Sequence, residues 1–133
     1  MSRFSIPEAT DAGIVLDSSA GLMWSAADVG DDEMTWQEAT DACAKLNLGG
    51  FTDWRLPTVE ELFPLADRSR YSPAIDTAFF PTCKSDWYWT ASPVASNPDD
   101  AWIVGFDYGG AYLYYRGFQC RVRAVRSVAR ASQ

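Results

Sequence analysis

The sequence contains no histidine, and this absence narrows the chemistry that the protein can perform. Histidine is the commonest general base at neutral pH, the commonest zinc ligand and the usual partner of a serine or cysteine nucleophile. Cysteine is scarce as well, with Cys43, Cys83 and Cys120 as its three positions. Three thiols cannot all pair within one chain, so one disulfide with a free thiol and three reduced thiols are both open. The odd count weakly favours a reducing compartment.

Positive charge is the second deficit. The chain has 11 lysines and arginines against 18 aspartates and glutamates, which gives a formal net charge of -7. At long range this charge repels nucleic acids, anionic membranes and sulfated polysaccharides. The composition therefore favours cationic or neutral partners.

Long apolar runs are also missing. No stretch approaches the roughly 18 apolar residues of a membrane span, and residues 1–10 lack the basic-then-apolar pattern of an export signal. We therefore expect a soluble protein without membrane insertion, with the cell surface, a virion and the cytoplasm all open as its location. The length of 133 residues, with no clear repeat or low-complexity segment, predicts one domain over residues 1–133.

The N-terminal third carries the signals of a hairpin and a helix. Short apolar runs at 13–16 and 22–24 flank the turn-forming stretch "DSSAG" and predict a β-hairpin. Thr35 and Glu38 have the spacing of a capping box, and apolar residues follow at helical intervals. The spacing predicts a helix that residues 47–50 bring to an end.

A second capping box, formed by Thr58 and Glu61, begins a second helix that Pro64 should keep short. Two demanding side chains stand between the helices. Trp54 has the size to fill the corner between them, and Arg55 has five donors for the carbonyls left unpaired at helix ends. We predict structural roles for both residues, and a cost of about 2 kcal/mol or more for Arg55→Ala.

The second half of the chain is rich in strand-forming residues. Four runs, "WYWTAS", "AWIVGFD", "AYLYYRG" and "CRVRAVR", are interrupted by the turn signals "NPDD" and "DYGG". The middle two runs predict a hairpin. In the last run Cys120, Val122 and Ala124 alternate with Arg121 and Arg123, which predicts a strand with one apolar and one cationic face. Helices followed by strands indicate an α+β protein.

Six segments of the chain, taken in order, resemble the C-terminal domain of bacterial collagen-like adhesins, the Lcl C-terminal domain. They are "GLMWS", "TWQEATDACAKLNLGGFTDWRLPTVEEL", "SPAIDTAFFP", "YWTAS", "AWIVGFDYG" and "VRAVR", and they span about residues 13–126. The resemblance implies a C-type-lectin-like fold, in which two helices pack on a small twisted antiparallel sheet beside a long irregular loop region. It also implies that the chain ends lie close together.

The resemblance carries further implications for partners and cysteines. The adhesins form trimers and bind sulfated glycosaminoglycans, but the negative charge argues against this ligand unless Arg116, Arg121 and Arg123 form a local basic patch. Cys43 matches the family's helical cysteine, whereas Ala124 stands where the family often has the second cysteine. The wider fold class includes lectins, phage receptor-binding proteins, proteins diversified by retroelements and formylglycine-generating oxidases, so the fold leaves the function open.

The candidates for catalysis are weak. Cys43 lies on the apolar stripe of the first helix, and Cys120 lies among arginines without a histidine partner. Asp99, Asp100 and Asp107 could divide acid and base roles, although their spacing matches no signature. We therefore predict that the protein is not an enzyme and has no catalytic residues. A formylglycine-generating or carboxylate-based enzyme remains the weaker alternative.

Two acidic segments offer oxygen ligands of the kind that calcium prefers, "DVGDDE" and "NPDD". In the second, Asn97, Pro98 and Asp99 resemble the proline-centred calcium and sugar motif of C-type lectins. Solvated acidic loops explain both segments equally well. No cofactor is expected, with calcium as the one open candidate.

The aromatic residues of the second half favour recognition. Tyrosine and tryptophan combine a large rigid contact area with a polar tip, and their faces stack on sugar rings. Trp89, Trp102 and Phe106 lie in apolar runs and are expected in the core. The predicted ligand-binding residues are Trp87, Asn97, Asp99, Asp100, Asp107, Tyr108, Tyr112, Tyr114, Tyr115 and Arg116.

The favoured interpretation is a recognition or adhesion domain that binds a protein or a glycan through these residues. An oligomerising structural component of a phage or secretion particle, a trimer for example, is the alternative from another class. Glycan binding, protein binding and self-association remain open on the sequence alone.

Overall fold

A computed structural model of the protein describes residues 3–6 and 13–128. These residues form the α+β fold that the sequence predicts. The elements are β1 (Phe4–Ser5), β2 (Ile14–Asp17), β3 (Leu22–Ser25), α1 (Trp36–Ala44), α2 (Val59–Leu62), β4 (Trp87–Val94), β5 (Asn97–Gly105), β6 (Gly110–Tyr115) and β7 (Val125–Ser127). The expectation that residues 1–10 carry no export signal falls largely outside the described residues.

The strands form two antiparallel sheets. The first has the order β1-β2-β3-β7, so the first and last strands lie in one sheet, and the second has the order β4-β5-β6. The hairpin predicted near the N-terminus is the β2–β3 pair, and the hairpin predicted at "DYGG" is the β5–β6 pair. Both predictions are confirmed. The second sheet carries most of the predicted ligand-binding residues.

Both capping boxes are present as predicted. The hydroxyl of Thr35 accepts from the backbone of Glu38, whose carboxylate in turn accepts from the Thr35 backbone. Thr58 and Glu61 make the same reciprocal pair at the start of α2. Pro64 lies within a single turn of 3₁₀ helix, Phe63–Leu65, that follows directly on α2. The second helix is therefore short, as its proline predicts.

The first helix ends earlier than its sequence predicts. Its last residue is Ala44, and residues 47–50 belong to a tight turn instead of the helix end. Leu48 and Phe51 form an antiparallel bridge, and Gly49 and Gly50 between them have φ angles of 64° and 82°. These angles favour glycine, so the double glycine is needed for the turn and not for ending the helix.

Trp54 lies against this turn. Its side chain is only 3% exposed, and its indole N–H donates to the carbonyl oxygens of Leu48 and Phe51. A buried indole usually finds such a partner. The tryptophan therefore attaches the turn to the core.

Arg55 has a different partner from the predicted one. Its guanidinium makes a bidentate ion pair with Glu61, at 2.7 and 2.8 Å, and donates at 3.1 Å to the Ser127 hydroxyl and at 3.4 Å to the Leu56 carbonyl. The carboxylate of Glu61 is already fixed by the capping box, so the sequence pattern alone did not assign it to the arginine. The pair is partly exposed, with 40% of the Arg55 side chain accessible.

We therefore expect Arg55→Ala to cost about 0.5–1 kcal/mol at pH 7, below the figure expected from sequence, because partly exposed ion pairs are weak. The hydrogen bonds and charge of Arg55 hold the pKa of Glu61 below its usual value of 4.5. A lowered folded-state pKa stabilises the fold above pH 4.5, and this stabilisation is lost as the pH falls through the lower folded value. Urea unfolding at pH 7 and at a series of lower pH values should show the difference shrinking as the pH falls below 4.5.

Two apolar cores hold the sheets and helices together. The first lies where α2 and the loop after it meet both sheets, and it includes Trp24, Leu62, Phe80, Tyr88 and Phe106. The second packs α1 against the β4–β5 face of the second sheet, and it includes Ala39, Cys43, Trp89, Ile103 and Cys120. Trp89 and Phe106 are fully buried, which confirms their expected place in the core. The second core directly underlies the surface considered next.

The strand predicted for residues 120–126 is only partly formed. Its regular part is β7, and the preceding residues make isolated bridges to Met34 and Tyr88. The predicted cationic face is wrong, because Arg123 is completely buried. The Arg123 guanidinium donates to the carbonyls of Ser25 and Ala26 and lies 3.5 Å from the Asp28 carboxylate. Arg123 therefore belongs to the frame of the domain.

Candidate ligand-binding surface

Five aromatic rings form one continuous row on the second sheet. We call this set, Trp87, Tyr112, Tyr114, Tyr115 and Phe118, the aromatic row. Neighbouring ring centroids lie 6.3 Å apart for Trp87–Tyr112, 5.1 Å for Trp87–Tyr114, 5.0 Å for Tyr114–Phe118 and 5.2 Å for Tyr115–Phe118. Three members are about half exposed: Tyr112 at 45%, Tyr115 at 50% and Phe118 at 53%. The row thus presents a large apolar surface to solvent.

Strand register explains why the central rings share one face. Tyr112 pairs with Ile103 and Tyr114 pairs with Ala101, while Trp87 belongs to the neighbouring strand on the far side of β5. Side chains two residues apart on a strand point the same way, and paired residues lie side by side. The alternation of tyrosines in β6 therefore brings Tyr112 and Tyr114 together beside Trp87.

Phe118 is the member of the row that sequence reasoning missed. It follows β6, and its ring contacts both Tyr114 and Tyr115, whose side chains leave the strand on opposite faces. Phe118 therefore continues the row around the end of the strand. A single phenylalanine between glycine and glutamine has no periodic pattern, so only its polar neighbours could have indicated its exposure.

Two paired glycines form a flat floor under one end of the row. Gly105 on β5 pairs with Gly110 on β6. A Cβ atom on Gly105 would lie 2.7 Å from Asp107 Oδ1 and 3.0 Å from Trp87 Cδ1, and one on Gly110 would collide with the Tyr112 ring. Because neither glycine has a side chain, Trp87 and Tyr112 pack directly against the sheet backbone, with the Asp107 carboxylate beside the indole.

Tyr114 is less exposed than the sequence suggests. Its ring packs against Trp87 and, at 6.0 Å, against the buried Trp89, so it joins the row to the second core. Tyr112, by contrast, is largely a surface residue. Variants at these two positions should therefore differ in their effect on stability.

Tyr108 lies outside the row. It occupies the turn between β5 and β6, is 73% exposed, and stacks on the equally exposed Tyr71 of the long loop with 6.5 Å between ring centroids. No sequence pattern linked the two tyrosines, because 37 positions separate them in the chain. They form a small second aromatic pair, distinct from the aromatic row.

An apolar groove runs along the opposite face of the second sheet. It has a volume of about 430 Å³ and is lined by Val59, Glu60, Phe63, Pro64, Trp102 and Ala111. Trp102 is only partly buried, so its expected place in the core is corrected to the wall of this groove. The second sheet therefore has an aromatic face and a grooved face, with β6 at the border of both.

The order of these elements agrees with the segments noted in the sequence, and a family model for the Lcl C-terminal domain matches residues 13–126. The chain belongs to this family. Among curated proteins no match is found. The Lcl C-terminal domain described here is thus related to a domain of adhesin-like proteins, and its likeness to C-type lectins stays a prediction. No helix within residues 3–6 and 13–128 is long and apolar enough to cross a membrane.

The polar candidates of this Lcl C-terminal domain do not all gather at the row. The prediction of a turn at "NPDD" is wrong, because this segment forms the start of β5. Asp107 follows the other end of that strand. The strand from Asp100 to Gly105 alone spans about 17 Å. Carboxylate pairs that cleave glycosidic bonds lie about 5–9.5 Å apart, so Asp99 and Asp100 cannot work with Asp107 in this way.

The same segment does not assemble a metal site of acidic residues. The side-chain oxygen of Asn97 accepts from the Asp99 backbone, and its amide donates to the Asp100 carboxylate. Within the described part of the chain, no three His, Cys, Asp or Glu side chains come together as they would around a metal ion. Asn97 and Asp99 are exposed and lie at the end of β5 that pairs with Tyr115, whereas Trp87 pairs with Gly105 at its other end.

The arginines of the second half do not form the basic patch that a sulfated ligand would require. Arg116 lies over the Trp36 ring at 4.1 Å, and its Nε donates to the Asp100 carbonyl. Arg121 pairs with Asp86 at 3.4 Å, and Arg123 is buried. Arg116, a predicted ligand-binding residue, thus has a structural role at the base of the sheet.

Acidic side chains flank the row instead. Burial raises the pKa of the Tyr114 hydroxyl, and the carboxylates of Glu33 and Asp86 raise it further. Asp107 lies at the glycine floor. Within residues 3–6 and 13–128, no cationic side chain makes an ion pair with Glu33 or Asp107, whereas Asp86 is paired with Arg121. Glu33 and Asp107 are therefore the carboxylates near the row that keep an uncompensated charge among the described residues.

The thiols are unsuited to nucleophilic catalysis. Cys43, Cys83 and Cys120 are all buried and unpaired with one another. Burial raises the pKa of Cys43 to about 12 and that of Cys120 to about 12, and it also raises the pKa of Cys83. A reactive cysteine requires the opposite shift and solvent access. The three residues pack as small apolar side chains.

Proposed function

We propose that this domain is a non-enzymatic recognition module that binds a protein or carbohydrate ligand through the aromatic row. The observation that carries the proposal is the row itself, a chain of five rings in which each contacts the next and three are about half exposed. Exposed tyrosine, tryptophan and phenylalanine in contact with one another are typical of recognition surfaces, because they bury a large area at small entropic cost.

The family relation supports a role in attachment. The chain belongs to a domain family of adhesin-like proteins, and attachment requires a binding surface without a catalytic centre. The buried thiols and the separated carboxylates agree with this role. A C-type-lectin-like architecture would provide a stable frame for such a surface, with calcium as an optional ligand.

The row can be tested with a variant that removes exposed rings without emptying the core. Tyr112→Ser combined with Phe118→Ser changes two residues that are 45% and 53% exposed. The matched control is Tyr71→Ser combined with Tyr108→Ser, two residues that are both 73% exposed and outside the row. Tyr114 is avoided, because it packs on Trp89.

We expect the purified domain to bind at least one ligand on glycan and protein arrays, screened with and without calcium. The row variant should weaken that binding by at least about tenfold, while the control keeps it. Both variants should melt within a few degrees of the parent protein, because surface substitutions cost little. Equal loss in the two variants, or retention in both, would contradict the proposal.

Self-association is the second candidate function, and the outer edge of β6, which no strand of residues 3–6 and 13–128 covers, favours it. A domain that mainly assembles with copies of itself, as a trimer or another oligomer, would show a mass in solution that rises with concentration. A constant monomer mass would leave the recognition of another molecule as the better explanation.

A further inference from the structure

We infer that the partner is an extended protein segment that adds as a strand to the free edge of β6, with basic side chains on the aromatic row and apolar side chains over the groove. This inference rests on the proposed function and specifies its ligand. It combines three features of the second sheet: an unpaired edge, two faces of different chemistry and an excess of negative charge.

The edge of β6 is open to another strand. β6 is the last strand in the order β4-β5-β6, and no strand of the described chain pairs with its outer side. Its sequence, "GAYLYY", contains no proline, lysine or other charged residue of the kind that protects edges from pairing. An extended peptide can satisfy such an edge with main-chain hydrogen bonds.

The open part of the edge has a defined end. The N–H of Phe118 donates to the carbonyl oxygen of Tyr115, and the Phe118 ring contacts both Tyr114 and Tyr115. The chain thus folds over the strand at this point. Residues 110–114 are left as the docking edge, which suits a segment of about five residues.

The two faces beside this edge differ in chemistry, so they favour different side chains at alternate positions of a docked strand. Tyr112 lies on the aromatic face with Trp87, whereas Ala111 lines the groove. Leu113 pairs with Trp102 of the groove wall and is 47% exposed. A strand paired with β6 would place every second side chain on the row and the others beside Leu113 and the groove. The groove face is apolar, so apolar side chains fit there.

Charge selects the side chains that face the row. Asp107 lies beside the Trp87 indole on the glycine floor, and Glu33, which makes no ion pair with another described residue, lies near Tyr114, whereas Asp86 is already paired with Arg121. Lysine and arginine bind the faces of tryptophan and tyrosine rings and pair with carboxylates, so they satisfy both features. The net charge of -7 also attracts a basic segment and opposes an anionic one. A neutral glycan would leave the strand edge and the carboxylates unused.

The test uses labelled peptides of about ten residues and fluorescence anisotropy with the whole chain. One peptide alternates lysine and valine, a second alternates glutamate and valine, and a third is the lysine peptide with alternate backbone amides methylated. We expect the lysine peptide to bind at least about tenfold more tightly than each of the others. Added salt should weaken the binding of the lysine peptide.

A charge variant locates the contact. Asp107→Asn keeps the oxygen that accepts from the Tyr108 backbone but removes the charge. It should weaken the binding of the lysine peptide roughly fivefold. Asp41→Asn is the matched control, since Asp41 is exposed on α1 and its carboxylate accepts from the Gln37 side chain. Its binding should equal that of the parent protein.

The outcomes separate this inference from the proposed function. Equal binding of the lysine and glutamate peptides, or no binding of any peptide, overturns the inference, and a glycan lost in the Tyr112→Ser/Phe118→Ser variant would still support the proposed function. Concentration-dependent dimers with slow hydrogen exchange in β6 would show that a second copy takes the edge, which also overturns it. If every ligand binds the Tyr112→Ser/Phe118→Ser variant as tightly as the parent protein, both the proposed function and the inference are wrong.

Discussion

Replacing Arg123 with methionine is expected to lower the free energy of unfolding by about 3–5 kcal/mol. The side chain has no exposed surface, and its guanidinium lies within hydrogen-bonding range of two carbonyls, those of Ser25 and Ala26. It also neutralises the Asp28 carboxylate, to which the Tyr88 hydroxyl donates at 2.6 Å. Methionine keeps much of the volume but leaves a largely buried carboxylate and two carbonyls without their partner.

Arg121→Met is the matched control for this prediction. Arg121 stands two residues away and pairs with Asp86, but both side chains are partly exposed, at 22% and 39%. Its loss should cost less than about 1 kcal/mol. Urea unfolding followed by circular dichroism measures both variants. Similar costs for the two arginines would show that the buried guanidinium contributes no more than a surface one.

Replacing Trp89 with alanine should lower the free energy of unfolding by about 3–5 kcal/mol. The indole is fully buried in the second core, and its N–H donates to the Met34 carbonyl at 2.7 Å. The substitution leaves a cavity beneath Tyr114, whose ring packs on the indole. The variant should therefore also weaken ligand binding, because one ring of the aromatic row loses its support.

Trp87→Ala separates the two effects. Trp87 contacts Tyr112 and Tyr114 but is only partly buried, so its loss should cost roughly 1–2 kcal/mol while weakening ligand binding strongly. Thermal unfolding and a binding titration on the same samples give both numbers. If the Trp89→Ala protein is as stable as the Trp87→Ala protein, Trp89 contributes no more to the free energy of unfolding than Trp87, and this prediction is wrong.

Local signals in the sequence predicted the helices and hairpins well. Capping boxes at Thr35 and Thr58 and the kink expected from Pro64 depend on residues three or four positions apart, so the sequence contains the whole interaction. The alternation in "AYLYY" likewise places Tyr112 and Tyr114 on one face of β6. These features require only neighbours along the chain.

Interactions between distant segments were not predictable in the same way. Arg123 is buried because carbonyls 97 and 98 positions earlier in the chain converge on it, and nothing next to it in sequence indicates this. Glu61 serves both a helix cap and Arg55, and a local pattern reveals only the cap. Phe118 joined the aromatic row through contacts that depend on how the chain turns after β6. The sequence therefore indicated the region of the aromatic row but not all of its residues.

The position of β6 in the sheet also makes it a convenient place for protein engineering. It pairs with β5 on one side and with no described strand on the other, and Tyr112, Leu113 and Tyr115 have about half of their surface in solvent. Randomising these three positions would leave Arg123, Trp89 and both capping boxes untouched. A library built in this way would explore new binding specificities on a backbone whose folding does not depend on the residues being changed.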